Sequence, residues 1–364
     1  MQRWSQAVAR SRVALLAGAA LLGAGATPPA PPAPSHAPEP PARLARFLRD
    51  NIGLDSSQIA AVERGEPVVK VLHTERKLDL AVFGIIAIDA PREVYVSRLL
   101  DFENSLRGGP SRVQFGVFGD PATLADVQTL TIDRRDVADL KDCRPGDCKI
   151  KLPGEEMARI RQAIDWSAGD AQGETDAYVR RRLVEYVTDY RARGDSAMVV
   201  YEDRERVRGS EAFAALLAQS PYVFEHIPSL HQYLARYPHE GLDGAREVLY
   251  WSVDDAKGLR PILRITHRTV YAPPEIPGLT VMAAKQIFAS HYFEAGFDLT
   301  AVADRPQSAG GAGFYLLLFR RSRFDRFPSI PLINIQGRLV NNARDQMRAD
   351  LESQKATTER AAPR

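Results

Sequence analysis

Apolar and polar positions along the chain predict a mixed α and β protein. Near the N-terminal end, apolar residues at near-helical spacing predict helical structure over residues 42–63, with a break near Gly53. Residues 68–73 and 78–88 are rich in Val, Ile and Phe, which predicts two β-strands. A short helix is expected next, with Pro91 in its first turn, where the missing N–H of proline costs nothing.

The C-terminal third predicts a sheet followed by a helix. The strand-like runs cover residues 247–251, 261–271, 281–291, 297–302 and 314–319. They are followed by a predicted amphipathic helix, on which Leu339, Met347 and Leu351 lie on one face.

Residues 81–95, read as Ala-Val-Phe-Gly-Ile-Ile-Ala-Ile-Asp-Ala-Pro-Arg-Glu-Val-Tyr, resemble the opening strand and helix of START-like, helix-grip domains (the SRPBCC superfamily). The order of elements agrees over about 66–108 and 245–355. The resemblance implies an α+β fold in which a curved antiparallel sheet grips a long C-terminal helix. It also implies a ligand between sheet and helix, with no cofactor and no metal.

The middle of the chain departs from a minimal domain of this kind. Helical patterns cover 153–193 and 210–237, with a short strand predicted at 197–201. We therefore predict one START-like domain over 42–355 that carries a helical insertion at about 153–240.

Composition narrows the class of protein. The chain has 364 residues, of which 45% are hydrophobic and 26% charged, with two cysteines. These values exclude wholesale disorder, a collagen-like repeat, a multi-span membrane protein and a disulfide-dense mini-scaffold.

The N-terminus has the composition of an export signal. Arg3, Arg10 and Arg12 precede an uncharged run over 13–26 that closes on Ala-Gly-Ala, as signal peptidase requires. We predict a signal peptide at 1–26 and an exported protein, periplasmic or secreted. The alternative is an uncleaved anchor, although a spanning helix needs roughly 20 apolar residues.

The segments that flank the folded part also have a distinct composition. Residues 27–41 contain eight prolines, which predicts an extended, stiff spacer. Residues 356–364 are polar and aperiodic and are predicted to be a disordered tail.

The net charge of the whole chain comes from the predicted signal. Residues 1–26 hold three of the 48 basic residues and none of the 46 acidic ones, so their removal changes the formal charge from +2 to −1. The remaining chain is nearly neutral, and we expect no nucleic-acid partner.

The two cysteines flank a turn. Cys143 and Cys148 enclose Arg-Pro-Gly-Asp, and the apolar residues around them predict a strand on either side. A tight turn and an oxidising compartment favour a disulfide. A metal site is the alternative, but no further Cys or His stands near enough to complete it.

Catalytic motifs of known spacing are absent from the sequence, including the nucleophile elbow, the Walker loop, the Rossmann fingerprint and His-Glu-x-x-His. The strongest catalytic candidate is His291, with Glu294 or Asp298 as its carboxylate. Ser290 precedes it, but neighbouring strand residues point to opposite faces. There are two other interpretations of His291. It is either a buried or turn histidine that forms hydrogen bonds with its neighbours, or a histidine that lines a cavity.

Strand alternation suggests a cavity. In the predicted strand 261–271, polar residues occur on both faces, and the strand 281–291 carries small alanines on both faces. In the first strand, Leu263, Ile265, His267 and Thr269 alternate with Arg264, Thr266, Arg268 and Val270. A polar interior with small side chains suits a ligand cavity beneath a helix. Ordinary burial of both faces is the alternative.

A basic run at 320–326 is the densest positive cluster. We expect Arg320, Arg321 and Arg323 either to contact lipid headgroups at a membrane surface or simply to be solvated.

We therefore expect a protein that binds or carries an apolar or amphipathic, lipid-like molecule. A hydrolase or cyclase-like enzyme that uses His291 as acid/base, and a protein-interaction module without a pocket, are the alternatives. The expected ligand-lining residues combine aromatic contact area with polar groups for a headgroup. They are Tyr250, Trp251, His267, Phe288, His291 and Tyr292.

Overall fold

The computed structural model describes residues 40–107, 111–167, 169–255, 259–308, 311–326 and 335–363. The predicted signal peptide and nearly all of the predicted proline-rich spacer lie outside these residues. The helices are α1 (Ala42–Asp50), α2 (Ser56–Glu63), α3 (Arg92–Leu100), α4 (Phe102–Arg107), α5 (Arg134–Leu140), α6 (Gly154–Ala163), α7 (Ala171–Arg193), α8 (Gly209–Ala218), α9 (Pro221–His226), α10 (Pro228–Arg236) and α11 (Ile335–Ala361).

The strands form one large sheet and one small hairpin. All neighbours in the large sheet are antiparallel, in the order β1-β2-β10-β9-β8-β7-β6-β3. The strands are β1 (Val68–Val71), β2 (Asp79–Ile88), β3 (Arg112–Val117), β4 (Val200–Tyr201), β5 (Val207–Arg208), β6 (Arg246–Asp254), β7 (Ile262–Tyr271), β8 (Leu279–Ala289), β9 (Phe293–Ser308) and β10 (Gly311–Phe324). The fold is therefore α+β, with a curved eight-stranded sheet and a C-terminal helix, as predicted.

The two faces of the sheet are covered by different helices. Alternate residues of β2 show the division, since Val82 and Ile86 join an apolar cluster with α3 and α11, whereas Phe83 and Ile85 join a larger cluster on the other side. That larger cluster includes residues of the first two helices and of α7 to α10. The sheet is consequently the middle of three layers.

A glycine on β2 allows α11 to lie close to the sheet. A Cβ added to Gly84 would lie 2.8 Å from Met347 Cγ and 2.9 Å from Leu351 Cδ1. Met347 and Leu351 are both fully buried. The absence of a side chain at Gly84 thus fixes the depth at which α11 packs.

Residues 118–245, between β3 and β6, are called the insertion from here on, a wider range than the predicted 153–240. The described part of this segment contains six α-helices, two short 3-10 helices and the β4–β5 hairpin. Part of it has an apolar cluster of its own, which includes Leu140, Met157, Ile160 and Tyr178. The disulfide between Cys143 and Cys148 lies in this cluster, with a Cα–Cα distance of 4.5 Å, and the predicted pairing is confirmed.

The structure differs from the prediction on both sides of this disulfide, and on the C-terminal side neither Ile150 nor Leu152 lies on a strand. Val137 and Leu140 lie on α5 rather than on a strand. Asp133 caps this helix, because its side chain accepts a hydrogen bond from the Arg135 backbone N–H. The three-residue separation of Val137 and Leu140 also places them on one face of a helix.

The predicted disordered tail is helical almost to its end. The last helix continues to Ala361, and Thr358 is fully buried and accepts a hydrogen bond from Arg98. Packing against α3 therefore orders residues whose own pattern gives no helical signal.

Within the described residues, no helix is both long and apolar enough to cross a membrane.

We predict that Gly84→Ala destabilises the protein by about 1–3 kcal/mol, because the new methyl group overpacks the contact with Met347 and Leu351. Urea unfolding followed by circular dichroism measures the change. Gly241→Ala is the matched control, since nothing lies within 4 Å of an added Cβ there. Equal stability of the two variants would contradict the proposed close packing.

Candidate ligand-binding cavity

A cavity of about 560 Å³ lies between the sheet and the C-terminal helix. We call it the sheet–helix cavity. Strands β3 and β6 to β10 contribute one wall, and α3, α4, the residue between them (Asp101) and α11 contribute the rest. Its size falls within the range of about 300–1,000 Å³ that is usual for small-molecule sites. Apolar residues in the lining include Tyr95, Leu99, Leu106, Met282, Ala284 and Leu318.

Arg268 is the most deeply buried charged group in the wall of this cavity, with 7% of its surface exposed. Its Nη1 donates to Ser105 Oγ at 2.6 Å, its Nε contacts Met282 Sδ at 2.7 Å, and its guanidinium lies over the Phe102 ring. These partners are all neutral. Among the described residues, Arg268 forms no ion pair with a carboxylate.

Burial lowers the pKa of Arg268 by desolvation, and the positive charge of Arg112 acts in the same direction. An arginine side chain nevertheless stays protonated in proteins. A buried cation with only neutral partners is costly unless an anion compensates it. The wall of the cavity therefore favours a negatively charged group.

A second arginine of the lining has the same character. Arg98 donates to Thr358 Oγ1 and Gln354 Oε1 of α11, and it too forms no ion pair among the described residues. Arg320, by contrast, is neutralised by Asp350 of α11 at 2.7 Å. The cavity thus has two cations that the surrounding protein leaves without a carboxylate.

Asp298 is the carboxylate that the sheet presents to this cavity. It lies opposite Arg320 in the β9–β10 ladder and is exposed to the cavity space. Desolvation by the surrounding protein raises its pKa, and the positive charges of Arg320 and Arg264 oppose that shift. A raised pKa makes Asp298 easier to neutralise when an anionic group enters.

Of the predicted lining residues, Tyr250 lines the sheet–helix cavity. Trp251 and His267 lie on the opposite face, in the larger apolar cluster or beside it. Strict alternation along β6 and β7 requires this, because Tyr250 and Trp251 are adjacent and so are His267 and Arg268. The same alternation identifies Arg268, which the sequence pattern marked as polar but which was not among the predicted ligand residues.

A β-bulge places Phe288 on the face away from α11. Ile265 pairs with Phe288 and Thr266 with Gln286, so Ile287 is the extra residue on β8. Unbroken alternation would have left Phe288 on the same face as Gln286. The extra residue leaves Phe288 on the opposite face from Gln286. The carbonyl of Ile287 accepts a hydrogen bond from Tyr186 Oη at 2.7 Å.

His291 is buried and both of its ring nitrogens are engaged. Nε2 lies 2.9 Å from Asp136 Oδ2, and Nδ1 lies 3.0 Å from the carbonyl oxygen of Lys149. Asp136 also accepts a hydrogen bond from Arg260. His291 therefore fastens the insertion to the end of β8, and this arrangement does not place it with Glu294 or Asp298 as an acid/base pair.

The remaining predicted residues are dispersed. Glu294 is buried 3.5 Å from Arg76, and desolvation raises its pKa. Tyr292 adopts a positive φ of 63° and accepts a hydrogen bond from the Arg260 backbone N–H. No group of metal-ligating side chains is found within the described residues.

The predicted basic run is only partly at the surface. Arg321 and Arg323 are buried, the latter in two hydrogen bonds to Asp79, whereas the Arg320 side chain is 40% exposed and pairs with Asp350. The charges of Arg320 and Arg323 are thus paired within the protein.

His267 belongs to a buried polar network on the other face. Its Nδ1 lies 3.1 Å from Tyr190 Oη, and its Nε2 lies 3.2 Å from Glu247 Oε2 and 3.1 Å from Tyr233 Oη. Burial lowers the pKa of His267, although the hydrogen bond and charge of Glu247 oppose this. The neutral ring fits the network, with Nδ1 accepting from Tyr190 and Nε2–H donating to Glu247.

Comparisons with protein-family models, with curated proteins and with solved structures give no match to this chain.

The buried histidine makes stability depend on pH. Because the pKa of His267 lies below 6.5 in the folded protein, the unfolded chain binds more protons just below that pH. We therefore predict that the free energy of unfolding falls as the pH decreases from about 7.5 to about 5.5. Urea unfolding at both pH values measures this fall.

The contribution of His267 can be separated from that of other groups. His267→Gln should be less stable at about pH 7.5 and should show a smaller fall on acidification, because its side chain does not titrate. His239→Gln, at an exposed position, is the control and should retain the fall. An unchanged pH dependence in His267→Gln would refute the assignment.

Proposed function

We propose that this protein is exported and that it binds an amphipathic small molecule with an acidic headgroup in the sheet–helix cavity. The observation that carries the proposal is Arg268, a cation 93% removed from solvent whose described partners are all neutral, in the wall of a cavity large enough for a ligand. A carboxylate or phosphate would form charge-assisted hydrogen bonds with its guanidinium.

The rest of the lining supports an amphipathic rather than a purely polar ligand. Tyr95, Leu99 and Leu106 offer apolar contact on the helix side, and Met282 and Ala284 offer it on the sheet. The small side chain of Ala284 leaves room beside Arg268, with which it pairs across β7 and β8. A lipid-like molecule combines the two chemistries that this wall presents.

Export is supported by two observations. The N-terminal segment has the charge and apolar pattern of a signal peptide. The Cys143–Cys148 disulfide is of a kind that persists in oxidising compartments. Together these features favour a location outside the cytoplasm.

The function is tested with cis-parinaric acid, a fluorescent fatty acid, titrated into the purified protein. We expect saturable binding that Arg268→Gln weakens about 10- to 100-fold, since a hydrogen bond to a charged group contributes about 1.5–3 kcal/mol. The methyl ester of the probe lacks the charge and should be affected much less by this substitution.

Arg236→Gln is the matched control, because this arginine is 68% exposed on α10. Ala284→Phe fills part of the cavity and should weaken binding of both the acid and the ester. Thermal unfolding of each variant shows whether it is folded. Unchanged affinity in folded Arg268→Gln and Ala284→Phe would overturn the proposal, as would the absence of any lipid in solvent extracts of protein purified from its natural host.

A further inference from the structure

A second cavity, of about 430 Å³, lies between the helical insertion and the opposite face of the sheet. We call it the insertion cavity. Its walls come from α5, α6 and α7, from the segment around β4 and from β6 to β8. We propose that this cavity is a separate binding site for an uncharged, apolar small molecule.

The insertion cavity separates two apolar clusters. On one side lie Leu140, Ile150 and Ile160 of the small cluster that contains the disulfide. On the other side lie Val199 and Leu263 of the main core. Since apolar surfaces in a protein normally pack directly together, two clusters that face each other across such a space form a site for apolar contact.

The polar groups in these walls already have partners. Tyr186 Oη donates to the carbonyl of Ile287, and Ser290 Oγ accepts a hydrogen bond from the Leu263 backbone N–H at 3.0 Å. Tyr178 Oη donates to Glu156 Oε1 at 2.8 Å. A ligand inside would therefore find contact area but few free donors or acceptors.

The charged groups of the lining are paired as well. Asp136 is held by Arg260 and His291, and Glu156 is held by Arg182 at 3.0 Å. A charged ligand buried here would find no unpaired group of opposite charge in the described lining, and burying its charge would be costly. This distinguishes the site from the wall around Arg268. The chemistry of the two cavities thus selects different molecules.

The insertion is fastened to the sheet around the cavity. The Asp136–His291 contact and the hydrogen bond from the Lys151 backbone N–H to the carbonyl of Ser290 join it to the end of β8. Tyr201 Oη accepts from the Ala289 backbone N–H at 3.0 Å. These contacts hold the two walls apart at fixed positions, as a preformed site requires.

The test uses N-phenyl-1-naphthylamine, an uncharged apolar fluorophore, with the purified protein. We expect saturable one-to-one binding that persists in Ala284→Phe, in which part of the sheet–helix cavity is filled. Val199→Phe places a larger side chain in the insertion cavity and should weaken binding roughly tenfold or more, because contact area is lost. Competition by cis-parinaric acid should be weak.

Hydrogen exchange on the unmodified protein gives a readout that does not depend on the folding of any variant. Bound fluorophore should slow exchange in α6 and around residues 197–200, and leave α3, α4 and α11 unchanged. Absence of saturable binding would overturn the proposal. Protection confined to α3, α4 and α11, or equal affinity in folded Val199→Phe, would overturn it too and assign the fluorophore to the sheet–helix cavity.

Discussion

The contact between α11 and β2 at Gly84 determines where the sheet–helix cavity can form. Because Met347 and Leu351 pack directly on the backbone of β2, the helix is held over one half of the sheet. The other half, from β6 to β9, carries polar side chains on the same face and meets α3 and α4 instead. A helix at one fixed depth over a curved sheet leaves a space beside it, and Arg268 lies in the wall of that space.

Both faces of the sheet are buried, and the side chains on the two faces differ in polarity. The face toward α11 combines leucine and methionine with arginine and aspartate, whereas the other face is largely apolar and confines its polarity to networks such as that of His267. In the network of His267, Tyr190 and Tyr233 from the inserted helices supply partners for both ring nitrogens. The two cavities therefore differ in their charged groups, since Arg268, in the wall of one, has no carboxylate partner among the described residues, whereas Asp136 and Glu156, in the wall of the other, are paired with arginines.

The inserted helices form hydrogen bonds with the sheet at the bulge at Ile287. An extra residue leaves backbone groups without ladder partners, and Tyr186 and Tyr201 hydrogen-bond to the groups around it. Phe288 is turned to the insertion side as a result. The insertion is therefore part of the sheet's hydrogen bonding, and it helps to shape one of the cavities.

The sequence by itself determined the α+β class, the succession of strands before a C-terminal helix and the pairing of the two cysteines, because these follow from local periodicity and a tight turn. Only the tertiary structure decided that α5 is a helix, that a bulge moves Phe288, that His291 binds Asp136 and that Arg268 has no carboxylate among its described neighbours. Those features depend on contacts between residues far apart in the chain, and local patterns do not encode such contacts.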